Sequence, residues 1–332
     1  MPKGFSIVIC SYNPDVCVLK RVLNAVHSLR PPILPVEVII IDNNSTQPLL
    51  QLETVSQFLH GGLHRKCLVE SEPGLTTARL RGVAEAVYEW VVFFDDDNEP
   101  EESYLIHLLD AIQKYPQVAC WGPAHVEVEL LNRNANDWVQ QKKELFQQRC
   151  WGKTEFGVSN VWQNYFPYGT GLVVHQNVLQ EYRNRIAEGR YNLTDRKGKS
   201  LSSGGDLQIV LTATNLGMPV GSVDLMRINH LIISKKSTIQ YLVKQVYGTS
   251  SSYVAAHKQV DRDLEISIDI SSNFEILKRF ILFLRFHLLR SSFNDFKLTL
   301  ADFFGAFNAR YLYKEVFKKP LIIRIYEKLI HV

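Results

Sequence analysis

The chain lacks any apolar run near the ~18–20 residues needed to cross a bilayer, so no spanning helix is expected. Its five cysteines, Cys10, Cys17, Cys67, Cys120 and Cys150, are odd in number, scattered, and free of any C-x-x-C pair. That pattern argues against a disulfide framework or a zinc site and points to reduced thiols in a cytoplasm. The net charge of +3 is too small to imply nucleic acid by itself. No G-x-G-x-x-G follows the first apolar run, which ends in "SYNP", so a dinucleotide-dependent dehydrogenase is a weak reading. The opening "MPKGFSIVIC" carries one lysine and only a short apolar run, and reads as a buried strand rather than a secretory leader. Neither an internal repeat nor a low-complexity tract occurs. These absences describe a cytoplasmic protein, either soluble or peripheral on the inner face of the cell membrane.

What is present is a core-forming composition, 46% apolar and 21% charged over 332 residues, enough for one large α/β domain with an appendage or for two domains. The charge is uneven. Residues 271–332 hold eleven Lys/Arg against five Asp/Glu, a local +6, so the remainder is −3 (3 − 6). A basic end on a slightly acidic body suits an anionic surface such as a membrane leaflet.

The first hundred residues alternate in type. "FSIVIC" (5–10), "VEVIIID" (36–42), "KCLVE" (66–70) and "WVVFF" (90–94) are short apolar runs expected to be strands covered on both faces. Residues 15–29 place Val18, Leu19, Val22, Leu23 and Val26 at helical spacing before Pro31-Pro32. Residues 76–89 set Ala78, Val83, Ala84 and Val87 on one side of a second helix. Strand–helix–strand repetition with tight loops predicts a mostly parallel, doubly wound sheet. Ligands bind such sheets at the carboxyl ends of the strands, where this chain collects "SYN", "DNNS" and "DDDN". Beyond residue 100, helices are expected over 101–116, 205–216 and 235–258, and aromatic, basic helices from about 273 onward.

Three adjacent carboxylates at a strand end repel one another and call for a cation. Asp95 and Asp97 share a face of an extended segment while Asp96 points the other way. An acid-x-acid unit supplies the hard oxygen ligands that a divalent ion bridging a diphosphate requires. The same acids also suit the start of the following helix. Asp42 is either an acceptor for a base or ribose hydrogen or a turn former. "EPGLTTARLRG" (72–82) puts a glycine and threonines before a helix bearing Arg79 and Arg81, a phosphate-binding arrangement or a plain loop–helix junction.

Taken together, "FSIVICSYNP…VEVIIIDNNST…EPGLTTARLRG…VVFFDDDNEP" resembles the nucleotide-sugar-binding half of a family 2 glycosyltransferase with the GT-A fold, and the resemblance covers roughly residues 5–250. It implies a Rossmann-like, mostly parallel central sheet flanked by helices, with an α-helical C-terminal extension. It implies a catalytic domain over 1–260, divided into a nucleotide-binding half (1–100) and an acceptor half (101–260), followed by the extension at 261–332. By the match Asp42 holds the base, with Ser11, Tyr12 and Asn13 lining the same pocket. Arg79 corresponds to the arginine of the family's "ARN" pattern, where this chain has Leu80 in place of asparagine. Asp95, with Asp96 beside it, meets the donor, and Asp97 is the metal ligand. "YGTGLVVH" (168–175) resembles the strand that backs acceptor and donor sugar. Gly169 and Gly171 there either admit a sugar close to the backbone or mark a bend. "SSGGDLQIVLTATNLG" (202–217) resembles the segment carrying the catalytic base. Gly205 replaces the usual glutamate and Asp206 remains, although a carboxylate at a helix start is also a cap. His230 matches a histidine near the metal.

The resemblance implies a Mn²⁺- or Mg²⁺-dependent inverting transfer from a nucleoside-diphosphate sugar, UDP by family frequency, to a glycan or lipid-linked sugar acceptor in cell-surface polysaccharide or glycolipid synthesis, with no nucleic-acid partner. The competing readings are a non-catalytic nucleotide-sugar-binding protein that keeps the fold and a metal-dependent phosphate hydrolase using the aspartates. Residues 273–330 either pack on the catalytic domain or offer a peripheral surface to anionic membrane.

Overall fold

A computed structural model of the chain describes residues 1–62, 64–132, 136–193, 204–264, 272–287, 292–314 and 319–332. Ser202, Ser203 and positions 288–290 of the basic segment lie outside the described residues. The first half runs β1 (Phe5–Ser11), α1 (Val16–His27), β2 (Val36–Asp42), α2 (Glu53–His60), β3 (Arg65–Val69), α3 (Leu75–Glu85), β4 (Trp90–Asp95) and β5 (Asn98–Pro100). It continues through α4 (Tyr104–Lys114), β6 (Cys120–Leu130), α5 (Asp137–Gln140), β7 (Arg149–Cys150), β8 (Glu155–Gly157), β9 (Val173–His175) and α6 (Gln176–Ala187). The last part is α7 (Gly205–Asn215), β10 (Val220–Ile232), α8 (Ile239–Val260), α9 (Asn273–His287), α10 (Phe293–Lys314) and α11 (Leu321–Leu329).

The strands form one sheet in the order β3-β2-β1-β4-β9-β6-β10-β5, with β7 beside β6 and β8 beside β10. Its β3–β2–β1–β4 part is parallel, and so is the β6–β10 pair. β9 is antiparallel to both β4 and β6, and β5 is antiparallel to β10. The expected mostly parallel sheet is therefore a mixed one at its centre. "YGTGLVVH" contributes only Val173–His175 to it, because Gly171 adopts φ 72° and turns the chain just before the strand begins.

Alternation along β1 explains why the sheet is covered on both faces. Phe5, Ile7 and Ile9 join a core with α1, α2 and α4, whereas Val8 and Cys10 join a second core with α3, α6 and α7. Asp15 caps α1 by accepting from the Cys17 and Val18 amides at 3.0 and 3.2 Å. The helix expected over 76–89 stops at Glu85, since Ala86 is extended and the Val87 amide donates to Glu37 Oε1 at 2.8 Å. Ala78 and Val83 are buried as expected, but Ala84 and Val87 are exposed. The face of α3 toward the sheet is instead set by Gly82, where a Cβ would overlap Val8.

A third core joins the C-terminal helices to α8. Tyr247 and Val243 pack with Phe304, Phe307, Tyr311, Ile323 and Tyr326 of α10 and α11. From α9 only Ile276 is buried, while Phe274, Leu277, Ile281, Leu282 and Phe286 are exposed. No helix among the described residues is long and apolar enough to cross a membrane.

Candidate active site

Register places the polar strand ends abreast. Ser11 pairs with Asp42 across β1–β2, and Cys10 pairs with Asp95 across β1–β4. The loops behind them are tied together. Asn13 (φ 47°) accepts from the Thr46 amide at 2.8 Å, and its own amide donates to Ser45 Oγ at 3.0 Å. Asp42 is buried and accepts from the Ser45 and Leu49 amides at 2.9 and 2.8 Å, so it organises its own turn while each oxygen keeps a second lone pair. Asn43, which the sequence reading left without a role, staples the loop before α3: its Nδ2 donates to the Glu72 carbonyl at 2.7 Å and its Oδ1 accepts from the Gly74 amide at 2.8 Å. Tyr12 stands exposed at the rim.

The extended segment expected to set Asp95 and Asp97 on one face ends at Asp95, and the chain turns at residues 96–97, so Asp95 meets Arg79 whereas Asp97 meets Lys236 and His230. Asp96 accepts from Ser11 Oγ at 2.7 Å; burial, with Asp97 close by, pushes its carboxyl up to about 6. Asp97 is 5% exposed. Burial alone would raise it, but Lys236 and His230 prevail and hold it well below the usual carboxylate range. Lys236 Nζ lies 2.5 Å from Asp97 Oδ2, and His230 Nε2 lies 3.4 Å from Oδ1. His230 Nδ1 donates to the Phe146 carbonyl at 2.8 Å, which turns Nε2 toward the aspartate. A further link, from the Leu231 amide to the Asp97 carbonyl at 2.8 Å, fixes the end of the aspartate loop against β10. Cys10, behind the cluster, is pushed up by burial to about 12 and stays a thiol.

Arg79 connects this edge to the second half of the chain. It is buried on α3, forms an ion pair with Asp206 Oδ1, and places its other nitrogen 3.6 Å from Asp95 Oδ1. Arg81 faces outward and pairs with Glu85 at 2.9 Å, so only one of the two arginines reaches the site. Asp206 sits in the first turn of α7 over Gly169; any side chain at 169 would collide with its Oδ2. Gly171 is explained by packing, since the space of a Cβ is filled by Tyr104 Oη, which donates to the Gly171 carbonyl at 2.6 Å.

Asp206 and Gly169 line a cavity of about 400 Å³ with Trp162, Tyr168, Tyr241 and Tyr253. Trp162 and Tyr168 are stacked, 5.6 Å apart and 9° from parallel. Gln245 reaches the same cavity; its Nε2 donates to the Leu145 carbonyl at 2.8 Å, while its buried Oε1 has no hydrogen-bond partner among the described residues. Sequence reasoning missed Gln245 and Tyr241, which belong to a helix without a motif. A wider cavity of about 770 Å³, lined by charged side chains of α1, β5 and β10, includes none of Asp42, Arg79, Asp95, Asp97 or Asp206 and is not the site. No group of three or more His, Cys, Asp or Glu placed to hold a metal occurs among the described residues.

Comparison with known proteins bears on the family and the fold. Residues 6–182 match the family model for glycosyl transferase family 2. Polypeptide N-acetylgalactosaminyltransferase 5 of Caenorhabditis elegans is 36% identical over 115 residues, 33% of this chain and 18% of that one. Polypeptide N-acetylgalactosaminyltransferase 11 of Xenopus tropicalis is 31% identical over 119 residues, 35% of this chain and 20% of that one. The matched stretch thus spans a fifth or less of either relative. Among solved structures, S. aureus TarS 1-349 superposes with a TM-score of 0.50 at 13% identity, over 95% of this chain and 93% of that one. The sheet with its flanking helices is the GT-A fold, and the chain belongs to glycosyl transferase family 2.

Proposed function

We propose that the chain is an inverting glycosyltransferase that moves a sugar from a nucleoside-diphosphate sugar to a hydroxyl acceptor in cell-surface polysaccharide or glycolipid synthesis. The observation that carries this reading is Arg79, which brings Asp95 at the donor edge and Asp206 at the aromatic cavity to one point. A uridine nucleotide is the first to test, since TarS has been solved with UDP-GlcNAc.

In this reading the base lies between Tyr12 and the Asp42 turn, and the diphosphate lies over the start of α3. Arg79 offsets charge on the leaving diphosphate. The acceptor occupies the cavity at Trp162 and Tyr168, where Gln245 Oε1 receives one of its hydroxyls. Asp206 Oδ2 takes the proton of the attacking hydroxyl as that oxygen bonds to the anomeric carbon. The bond to the diphosphate breaks on the opposite face, and the configuration inverts.

Mn²⁺ or Mg²⁺ would fit at Asp97 and His230, because the Nδ1–H bond to the Phe146 carbonyl turns Nε2 toward the carboxylate, loss of the Nε2 proton would free a lone pair for the ion, and the donor's phosphates would supply further oxygens. When bound, the ion stabilises the negative charge that develops on the leaving group. A thermal-shift screen of nucleotide sugars with and without Mn²⁺ tests the reading. One sugar nucleotide should raise the melting temperature in a metal-dependent way. Stabilisation by no nucleotide under any condition overturns it.

α10 and α11 pack on α8, whereas α9 turns Phe274, Leu277, Ile281 and Phe286 outward beside Lys278 and Arg285. We assign this face to an anionic bilayer, which suits a lipid-linked acceptor.

A further inference from the structure

The acid cluster already holds a cation of its own. Lys236 stands in the turn between β10 and α8, which is closed by its amide donating to the Ile233 carbonyl at 2.9 Å and by Ser237 Oγ donating to the Ser234 carbonyl at 3.2 Å. The backbone contact between Leu231 and Asp97 fixes how far this turn lies from the aspartates. From there the lysine spans to Asp97 Oδ2 at 2.5 Å, on the carboxylate whose other oxygen faces His230 and accepts from Asn98 Nδ2 at 3.0 Å. Asp97 is therefore committed to an ammonium at the position where the proposed function seats a divalent ion. Four carboxylates, Asp95, Asp96, Asp97 and Asp206, meet the two strong cations Arg79 and Lys236, and a lysine's flexible four-carbon stem can leave while the turn stays in place.

We propose that Lys236 is the resident counter-cation of the donor-free site, that a divalent ion displaces it from Asp97, and that the released ammonium then pairs with the diphosphate of the bound nucleotide. This rests on the glycosyltransferase reading only in its last step. An ammonium on Asp97 Oδ2 and a divalent ion between Oδ1 and His230 Nε2 would stand close enough to repel each other, so the lysine opposes metal entry when no nucleotide is present. Once a diphosphate arrives, the same charge favours the complex. Lysine thus acts with opposite sign on the two ligands, and a merely structural residue would not do so.

The experiment titrates Mn²⁺ alone, and then UDP in saturating Mn²⁺, into the full chain by calorimetry, comparing wild type with Lys236→Met and Lys236→Gln. Expected are roughly tenfold tighter Mn²⁺ binding and roughly tenfold weaker UDP binding in both variants, with His230→Ala weakening Mn²⁺ instead. Unchanged or weaker Mn²⁺ binding in a folded variant overturns the proposal, as does failure of every form to bind Mn²⁺. Tighter Mn²⁺ binding in the variants, with no UDP binding by any form, upholds the displacement step, overturns the diphosphate step and rejects a uridine donor.

Discussion

Arg79 and Asp206, 127 positions apart in the chain, meet in an ion pair that also reaches Asp95. The end of β4 and the start of α7 are thereby held by one buried guanidinium. Arg79→Met should lower unfolding stability by about 2–3 kcal/mol, somewhat below a fully buried pair because both carboxylates are about one-fifth exposed. Urea unfolding measures this, and a loss under 0.5 kcal/mol would show that the pair is not structural.

Asp206→Asn keeps the shape and removes the proposed base. Turnover should fall by about 10³-fold with UDP affinity changed less than about threefold. Near-normal turnover in that variant would remove Asp206 from its assigned role.

Gly169→Ala is a test by volume. The new methyl would overlap Asp206 Oδ2, so the carboxylate must shift while the donor loops stay put. A roughly tenfold or larger drop in kcat is expected, with KM for the donor little changed. If the alanine variant matched wild type, Asp206 would be free to act from elsewhere.

Asp96 gives a pH signature. Its folded value lies at about 6 against an ordinary 3.8, so the protonated form is favoured by folding. The stabilisation it contributes is complete below about 4 and is lost as pH rises through 6. Asp96→Asn, which mimics the protonated form, should therefore be more stable than wild type at pH 7.5, and the gap should close by pH 4. Denaturation at the two pH values checks it; a constant gap would place the titration on another group.

For α9, flotation with vesicles containing anionic lipid should recover the wild-type protein, and raised salt should weaken the association. Replacing Phe274, Ile281 and Phe286 by serine should reduce partitioning by at least roughly tenfold. Equal flotation with neutral vesicles would remove the electrostatic part of the assignment, and none with either kind would remove it altogether.

Much of the polar sheet edge was legible because it lies at the ends of short, wholly apolar strands. There a switch to Ser, Asn or Asp marks the sheet's edge, as Ser11, Asp42 and Asp95 show. Asp206 was singled out only through the family resemblance, since a carboxylate at a helix start has an ordinary capping explanation. The antiparallel β9 was hidden because three residues carry too little period to declare a direction. Gln245 escaped for a different reason. Its significance comes from what stands opposite it in space, and neither spacing nor composition encodes that.

The placement of β9 bears on how this protein could be recombined. Among the described residues β4 is joined to β6 through β9, so the first hundred residues own no finished border on that side. A chimera spliced at residue 100 would leave the amides and carbonyls of β4 bare unless the graft also carried Val173–His175. The β1–β4 portion of this chain is thus not a cassette that can be lifted out whole.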